Sequence, residues 1–315
     1  MTVPKKHHLL PRFYLSGFCN PEIHKGEDHE RDRSRCRVWV HDKEASAEQD
    51  AVRERGVKNL SVERHYCSAD LPTGGRDAEP ERLLSKVEDQ AARITRNLYY
   101  GANLSPEDRA ELALFAASMK FRVSSFRPWL NDFAQQYVEH RKQHLFPNVE
   151  ALDDYLQAKG VPTQEMPGIV EQLFADLQDP NRKVDMPKNY ALTRMFEHAQ
   201  LVREHLFSYD WTFAWAADGT SFVTSDDPFL VLDENWQAPS SYSSGIGIAT
   251  YGAQKLLPLN QHVCLAIGTG APVTRHIRLN RQAVRGLNLR QANHYARWLI
   301  ARDQALVDNI SGMRY

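Results

Sequence analysis

The sequence predicts an α+β fold, in which a helical middle region packs on a mixed or antiparallel sheet built from N-terminal and C-terminal strands. Two observations predict this class. Apolar residues recur at helical spacing between residues 79 and 208, and strand-like alternation occurs before residue 70 and after residue 210. Helices and strands are therefore grouped along the chain and do not alternate as βαβ units.

Two short strands are predicted near the N terminus. The segment RVWVHDK, residues 37–43, alternates apolar and polar side chains, and NLSVERHYCS, residues 59–68, has a similar pattern. The charged segment 19–37 shows neither the helical nor the strand period, so we expect a solvated loop there.

Two amphipathic helices follow. The first begins near Glu79 and has an apolar face at helical spacing, formed by Leu83, Leu84, Val87, Ala91, Ile94 and Leu98. The second begins at Ser105, because serine is a good N-cap and Pro106 suits the first helical position. Its apolar face extends to Phe133, and Pro128 is expected to kink it.

Strands dominate the chain from Trp211 onward, after two or three further helices predicted in residues 148–208. The late strands lie in WTFAWAA, SFVTSDDPFLVL, KLLPLNQHVCLAIG and PVTRHIRL, and a last helix is predicted at residues 280–298. Since the N-terminal strands are expected to return to the same sheet, we predict a single interwoven α+β domain over residues 1–315, in which residues 79–208 could form a helical subdomain.

The composition is that of an ordinary globular protein, with 42% hydrophobic and 25% charged residues among 315. The net charge of −1 provides no overall attraction for nucleic acid or membrane, although a local basic groove would still allow nucleic acid to bind. Cys19, Cys36, Cys67 and Cys264 form no CxxC pair, and no apolar run approaches the ~20 residues that span a bilayer. We therefore expect a cytoplasmic protein without a membrane partner.

Three polar residues lie where the helical period predicts apolar ones. Arg122 follows Phe115 by seven residues, Asn288 lies on the last helix, and Glu88 flanks the apolar stripe of the first helix. Each has a structural explanation, namely a salt bridge or snorkelling for Arg122, a bond to neighbouring backbone for Asn288, and a surface position for Glu88. The alternative for Arg122 is to bind an anion or a transition state.

Asp226 lies at the end of a predicted strand in SFVTSDDPFLVL. Pro228 favours an extended or turn geometry for the residue before it, so the strand should end here. A strand end is a place where a rigid scaffold presents a carboxylate to a cleft. An Asx turn, in which the carboxylate caps its own backbone, is an equal alternative.

The opening segment HHLLPRFYLSGF, residues 7–18, is rich in side chains that bind or pack. Neighbouring residues of a strand point to opposite faces, so at most one of His7 and His8 is expected to face a given site. Neutral imidazole is a common metal ligand and general base. The common metal, nucleotide and nucleophile motifs are absent from the sequence, so no motif specifies a reaction class.

Eight sequence blocks, taken in order, resemble the domain-of-unknown-function family 4238, which occurs mainly in bacteria. They are HHLLPRFYLSGF, RVWVHDK, VKNLSVERHYCS, the helix bearing Glu88, KFRVSSFRP, FVTSDDP, LLPLNQHVCLAIG and LNLRQANHYA. The resemblance covers residues 7–303 except 140–190, and it implies no activity. It singles out as motif positions His7, His8, Pro11, Tyr14, Glu88, Arg122, Asp226, Pro228 and Asn288. We predict that these residues form one site, with Tyr14 and Asn288 as its structural support.

The first functional prediction is a metal-assisted hydrolase. His7 or His8, together with Glu88 and Asp226, would bind a divalent cation such as Mn²⁺, Mg²⁺ or Zn²⁺. The ion would activate water, and Arg122 would stabilise an anionic oxygen of a phosphate-containing or nucleic-acid substrate. In a metal-free version the histidine acts as general base.

The second prediction is a non-enzymatic sensor module, for example in bacterial defence. The same residues would form a buried polar network, and a small ligand or a protein partner would be recognised by the loop 20–35 and the middle helices. One observable separates the two predictions. Convergence on an open cleft favours the enzyme, whereas a sealed and mutually satisfied cluster favours the sensor.

Overall fold

The computed structural model describes residues 6–20, 36–46, 51–179, 181–233, 235 and 247–312. In these residues, helices are grouped in the middle of the chain and strands near both ends, in several mostly antiparallel sheets. The predicted α+β class is therefore confirmed. Residues 21–35, which hold most of the predicted partner-binding loop, lie outside the described residues.

Short strands and one short helix form the N-terminal part: β1 (Lys6–His8), α1 (Arg12–Ser16), β2 (Arg37–Asp42), β3 (Val52–Gly56), β4 (Val62–Arg64), β5 (Ala69–Asp70) and β6 (Arg76–Asp77). Both predicted N-terminal strands are present, the first as β2 and the second as the shorter β4. Strand β1 pairs with β4, so that His7 lies opposite Glu63.

The middle region is helical: α2 (Glu79–Tyr99), α3 (Pro106–Phe121), α4 (Phe126–Leu145), α5 (Val149–Ala158), α6 (Ile169–Gln178) and α7 (Lys188–Ser208). The cap predicted at Ser105 is confirmed, because its side chain accepts the N–H of Asp108 at 3.1 Å. The single kinked helix predicted to reach Phe133 is wrong. Arg122 leaves the helical region with ψ 52°, and a new helix starts four residues later. Pro128 then lies in the first turn of α4, where a missing N–H costs little.

The C-terminal part contains β7 (Trp211–Trp215), β8 (Thr224–Ser225), β9 (Leu230–Leu232), β10 (Gln254–Pro258), β11 (Val263–Ile267), β12 (Thr274–Arg278), α8 (Arg281–His294), β13 (Trp298–Ala301) and α9 (Gln304–Ser311). The last predicted helix ends at His294, four residues early, and β13 replaces its end. Helix α9 was not predicted.

Two larger sheets organise the strands. The five-stranded sheet has the order β12-β7-β11-β10-β9, with β12 parallel to β7 and the other pairs antiparallel. The four-stranded sheet has the order β3-β2-β13-β8, and all its pairs are antiparallel. The expected return of the N-terminal strands to a shared sheet therefore holds for the first predicted strand, β2, which pairs with β13. It does not hold for the second, β4, which pairs with β1 in a separate two-stranded sheet.

The chain divides into two compact units, one formed by Met1–Ser124 with Leu192–Tyr315 and the other by Ser125–Ala191. Helices α2 and α3 belong to the larger unit, and α4, α5 and α6 belong to the smaller one. The smaller unit therefore covers only part of the predicted helical subdomain 79–208. The single interwoven domain stays a prediction.

The opening segment is buried in the larger unit. Leu10, Leu15 and Phe18 have no exposed surface, and the turn before β11 donates the Gln261 N–H to the carbonyl of Gly17 at 3.0 Å. A Cβ atom on Gly17 would lie 2.8 Å from the Cβ of Asn260, so glycine allows this close approach. Segment 7–18 is thus a core element.

Helix α8 packs against both larger sheets. It contributes Val284 to a core with Phe222 and Leu256, and Ala292 to a core with Val223 and Leu299. Among the described residues, no helix combines the length and the apolarity that crossing a membrane requires.

Candidate functional site

The guanidinium of Arg122 is the centre of a buried polar cluster. Its side chain is only 3% exposed, Nη1 is bonded to the carboxylate of Glu88, and Nη2 donates to the carbonyl of His8. Burial alone would lower the pKa of Arg122, but Glu88 and other acidic neighbours outweigh it and raise that pKa. The residue therefore keeps its charge and joins β1, α2 and α3.

A second group in the same cluster contains His7, Cys67 and Glu81. The Nδ1 atom of His7 accepts the N–H of Cys67 at 3.1 Å and lies 3.0 Å from Oε2 of Glu81. One ligand-type atom from each of the three side chains lies within 4.8 Å of the others. Burial raises the pKa of the Cys67 thiol to about 12, although the nearby charge of Arg122 opposes this effect.

His8 is the more exposed histidine of the pair. Because His8 follows His7 in β1, the two side chains project to opposite faces of the strand. Burial first, and then the charge of Arg12, lowers the pKa of His8 to about 4. Its imidazole is therefore neutral at pH 7. The Nδ1 atom of His8 is buried and has no hydrogen-bond partner in the described part of the chain.

Asp226 lies elsewhere. Its carboxylate accepts the N–H of Ala296 at 3.0 Å and that of Arg297 at 2.8 Å, in the connection between α8 and β13. Burial raises the pKa of Asp226 to about 6, and these backbone bonds oppose that rise. Among the described residues, no contact links Asp226 to Glu88 or Arg122. The carboxylate fixes a distant backbone and does not form a turn with its own strand.

Tyr14 binds strand β8, and Asn288 binds the segment that leads into it. The hydroxyl of Tyr14 lies 2.6 Å from Oγ1 of Thr224, and Asn288 accepts the N–H of Val223 at 3.0 Å and donates to the carbonyl of Ser221 at 2.8 Å. These contacts agree with structural roles. The structure thus brings His7, His8, Glu88 and Arg122 together, and it leaves Asp226 and Asn288 outside that cluster.

Sequence reasoning missed Cys67 and Glu81. One signal was present, because Glu81 and Glu88 are two helical turns apart and so share a face of α2. No such signal existed for Cys67. The pairing of β1 with β4 brings it to His7, and that pairing joins distant parts of the sequence.

A separate cleft of about 700 Å³ lies between α8 and one face of the five-stranded sheet. Its lining consists mainly of small and aliphatic side chains, including Thr212, Ala214, Leu256, Ala266, Leu279 and Leu287. Asp210 and Arg290 provide charge at its border. Because Thr212, Ala214 and Ala266 on adjacent strands are small, space remains between the sheet and α8.

Asp210 is already bound inside the protein. Its Oδ1 accepts the N–H of Gly270 at 2.7 Å, and its Oδ2 lies 3.5 Å from Nη1 of Arg275. A Cβ atom on Gly268 would collide with the carboxylate of Asp210, so glycine allows this close approach. Burial lowers the pKa of the neighbouring Lys255 to about 8, while the charge of Asp210 opposes this.

One family model matches nearly the whole chain, over residues 6–305. Its description is "Protein of unknown function (DUF4238)". The resemblance drawn from the eight sequence blocks is therefore confirmed. No curated protein and no solved structure matches the chain.

Proposed function

We propose that this chain, which belongs to the DUF4238 family of proteins of unknown function, is a non-enzymatic binding module for a small amphipathic anion. The cleft between α8 and the five-stranded sheet is the binding site in this proposal. The Arg122 cluster is then a structural brace.

The contacts of Arg122 support a structural role for the cluster. A residue that stabilises a substrate anion must direct N–H groups toward a cleft, whereas Nη1 and Nη2 of Arg122 are bonded to Glu88 and to the His8 carbonyl. Asp226, the other carboxylate expected in a metal-assisted site, is bonded to the backbone of Ala296 and Arg297. Because Nη1 and Nη2 of Arg122 and the carboxylate of Asp226 are bonded to the protein itself, these groups favour a structural role over catalysis.

The cleft is the observation that carries the proposal. Sites for small molecules typically have volumes of about 300–1,000 Å³ and combine a largely apolar lining with a few polar groups. The volume of about 700 Å³ and the aliphatic lining, which includes Leu256 and Leu279, fit that description. A molecule with an apolar body would cover the part of the sheet that α8 leaves open.

The charges around the cleft favour an anion. Asp210 is the acidic residue among those lining the cleft in the described chain, and Arg275, Arg109 and Lys255 surround it. Arg290, which lines the cleft from α8, adds a further positive charge. Arg109 and Lys255 are buried and donate to backbone carbonyls, so they do not face the cleft. Arg275 and Arg290 still outnumber Asp210 at the border, and this surplus positive charge favours a carboxylate or a phosphate group.

The test uses 8-anilinonaphthalene-1-sulfonate, a fluorescent anion with an apolar body, titrated into the full-length protein. We expect saturable binding that weakens at least tenfold in Ala266→Phe, since the added ring fills the cleft, and that weakens in Arg290→Gln. Ala102→Phe, which places the same ring at an exposed position, is the matched control. Equal binding by all four proteins, each checked for a cooperative melt, would reject the cleft as the site.

Metal-assisted hydrolysis of a phosphate-containing or nucleic-acid substrate is the second candidate. One observation favours it, namely the neutral imidazole of His8 close to the positive charge of Arg12. A neutral imidazole is suited to bind a metal ion, and the charge of Arg12 would attract an anionic substrate. Bis(p-nitrophenyl) phosphate is the probe, with Mn²⁺, Mg²⁺ or Zn²⁺ added. Turnover that is lost in His8→Ala and kept in His144→Ala would favour the hydrolase, and its absence in the wild type would remove this candidate.

A further inference from the structure

We infer that His7, Cys67 and Glu81 bind one metal ion of the Zn²⁺ class. This inference goes beyond the proposed binding function, and it involves residues that lie outside the cleft. The site would join β1, the segment after β4 and the first turn of α2 through a single ion.

The spacing of the three side chains fits a tetrahedral ion. Zinc binds nitrogen, sulfur and oxygen ligands at about 2.0–2.3 Å, so that two ligands of one ion lie roughly 3.5 Å apart. In the structure, the three ligand-type atoms lie within 4.8 Å of one another, and Nδ1 of His7 is 3.0 Å from Oε2 of Glu81. The ligand atoms would have to move closer together, and the ion would replace the Cys67 N–H at the single lone pair of Nδ1 of His7.

The contact between Glu81 and His7 requires a proton or a cation between the two side chains. Its Oε2 atom is buried, and no hydrogen bond reaches it from the described residues. The nearest nitrogen, Nδ1 of His7, already accepts the N–H of Cys67. Two acceptor atoms at this distance repel each other unless a cation or a proton lies between them.

The sulfur ligand selects the class of metal. Thiolate and imidazole favour Zn²⁺ or Co²⁺, whereas Mg²⁺, Ca²⁺ and Mn²⁺ favour oxygen ligands. His7 and Cys67 have no exposed surface, and Glu81 is 25% exposed, so the ion would be held inside the protein with one open side. Three protein ligands leave a fourth position for water.

The charges balance when the ion is bound. Binding converts the Cys67 thiol to a thiolate and releases one proton to solvent. The thiolate and the carboxylates of Glu81 and Glu88 then carry three negative charges. The divalent ion and the guanidinium of Arg122 carry three positive charges. These four side chains and the ion then carry no net charge, which a low-dielectric environment favours.

Cobalt titration of the full-length protein, after removal of bound metal with a chelator, tests the inference. We expect one Co²⁺ per chain, a thiolate-to-cobalt charge-transfer band in the near ultraviolet, displacement by Zn²⁺ and a higher melting temperature with metal. Cys67→Ser should remove the charge-transfer band. Cys264→Ser, which alters another buried cysteine, should keep it.

Glu81→Gln tests the site independently if Cys67→Ser does not fold. Residue 81 is partly exposed and should tolerate the amide. We expect Glu81→Gln to weaken Co²⁺ binding at least tenfold while its metal-free melt stays cooperative. No band in the wild type, a band that survives in Cys67→Ser, or unchanged affinity in Glu81→Gln would each overturn the metal site. Binding of the naphthalene probe to the cleft reports separately on the proposed function.

Discussion

The hydroxyl oxygen of Tyr14 and Oγ1 of Thr224 lie 2.6 Å apart, although 210 positions separate the two residues in the sequence. Both side chains are buried, with 1% and 0% exposed surface. Tyr14 lies on α1, and Thr224 lies on β8 at the edge of the four-stranded sheet. One hydrogen bond thus fixes the opening segment to a sheet formed largely by distant strands.

Tyr14→Phe should lower the free energy of unfolding by about 1–3 kcal/mol, because it leaves the hydroxyl of Thr224 buried without its partner. Urea unfolding measures the change. Tyr100→Phe, at a position that is 72% exposed, should stay within about 0.5 kcal/mol of the wild type. Adding Thr224→Val to Tyr14→Phe should cost less than the sum of the single changes. Full additivity would show that the two hydroxyls do not interact.

Arg122→Met should lower the free energy of unfolding by about 3–5 kcal/mol, because it leaves the partly buried Glu88 without its ion-pair partner. Arg93→Met is the matched control, since that side chain is 49% exposed and its ion pair with Asp108 should contribute about 0–1 kcal/mol. Chemical denaturation compares the two variants. If Arg122→Met is as stable as Arg93→Met, the brace does not exist.

His8 should make the folded protein less stable in acid. Its folded pKa of about 4 lies below its ordinary 6.5, so the neutral form is favoured by folding. The contribution is fully present above pH 6.5 and is lost progressively as the pH falls toward 4. In urea unfolding between pH 7 and 4.5, His8→Gln should therefore lose less stability than the wild type. Asp226 has a shift of the opposite sign, but both proteins share it.

The control for this pH series is His144→Gln, which removes an exposed histidine of α4. Its unfolding free energy should follow that of the wild type across the range. Parallel profiles for the wild type and His8→Gln would show that folding does not hold His8 neutral.

Asn288→Ala should destabilise the protein by about 1–3 kcal/mol for each of the two backbone groups it leaves unpaired, the N–H of Val223 and the carbonyl of Ser221. Thermal and urea unfolding both report the loss. Asn309→Ala, at an exposed position of α9, should change stability by less than about 0.5 kcal/mol. A loss no larger than in this control would mean that water replaces the amide.

Sequence patterns predicted the helices that nearby residues determine. The apolar period from Leu84 to Leu98 specifies α2, and the Ser105 cap specifies the start of α3. The break after Phe121 has a distant cause. The bonds of Arg122 to Glu88 and to the His8 carbonyl accompany a non-helical backbone at that residue, and neither partner is near it in sequence.

The candidate site could be predicted only in part for the same reason. Polar residues on apolar faces identified Arg122 and Glu88, because burying such groups is costly wherever the fold places them. The position of Asp226 depends on how β8 pairs with β13, and the position of Cys67 depends on how β1 pairs with β4. Strand pairing between remote segments leaves no periodic signal in the sequence.

The pairing of β2 with β13 has a consequence for synthesis of the protein in the cell. The ion pair at this pairing joins Asp42 to Arg297, 255 positions later. At about 5–20 residues per second, a ribosome needs on the order of ten seconds or more to make the intervening chain. During that time β2 can pair with β3 alone, and Val38 and Val40, both fully buried in the finished fold, lack the neighbouring strand β13. The nascent chain therefore exposes the apolar side chains of β2 to chaperones until β13 has been translated.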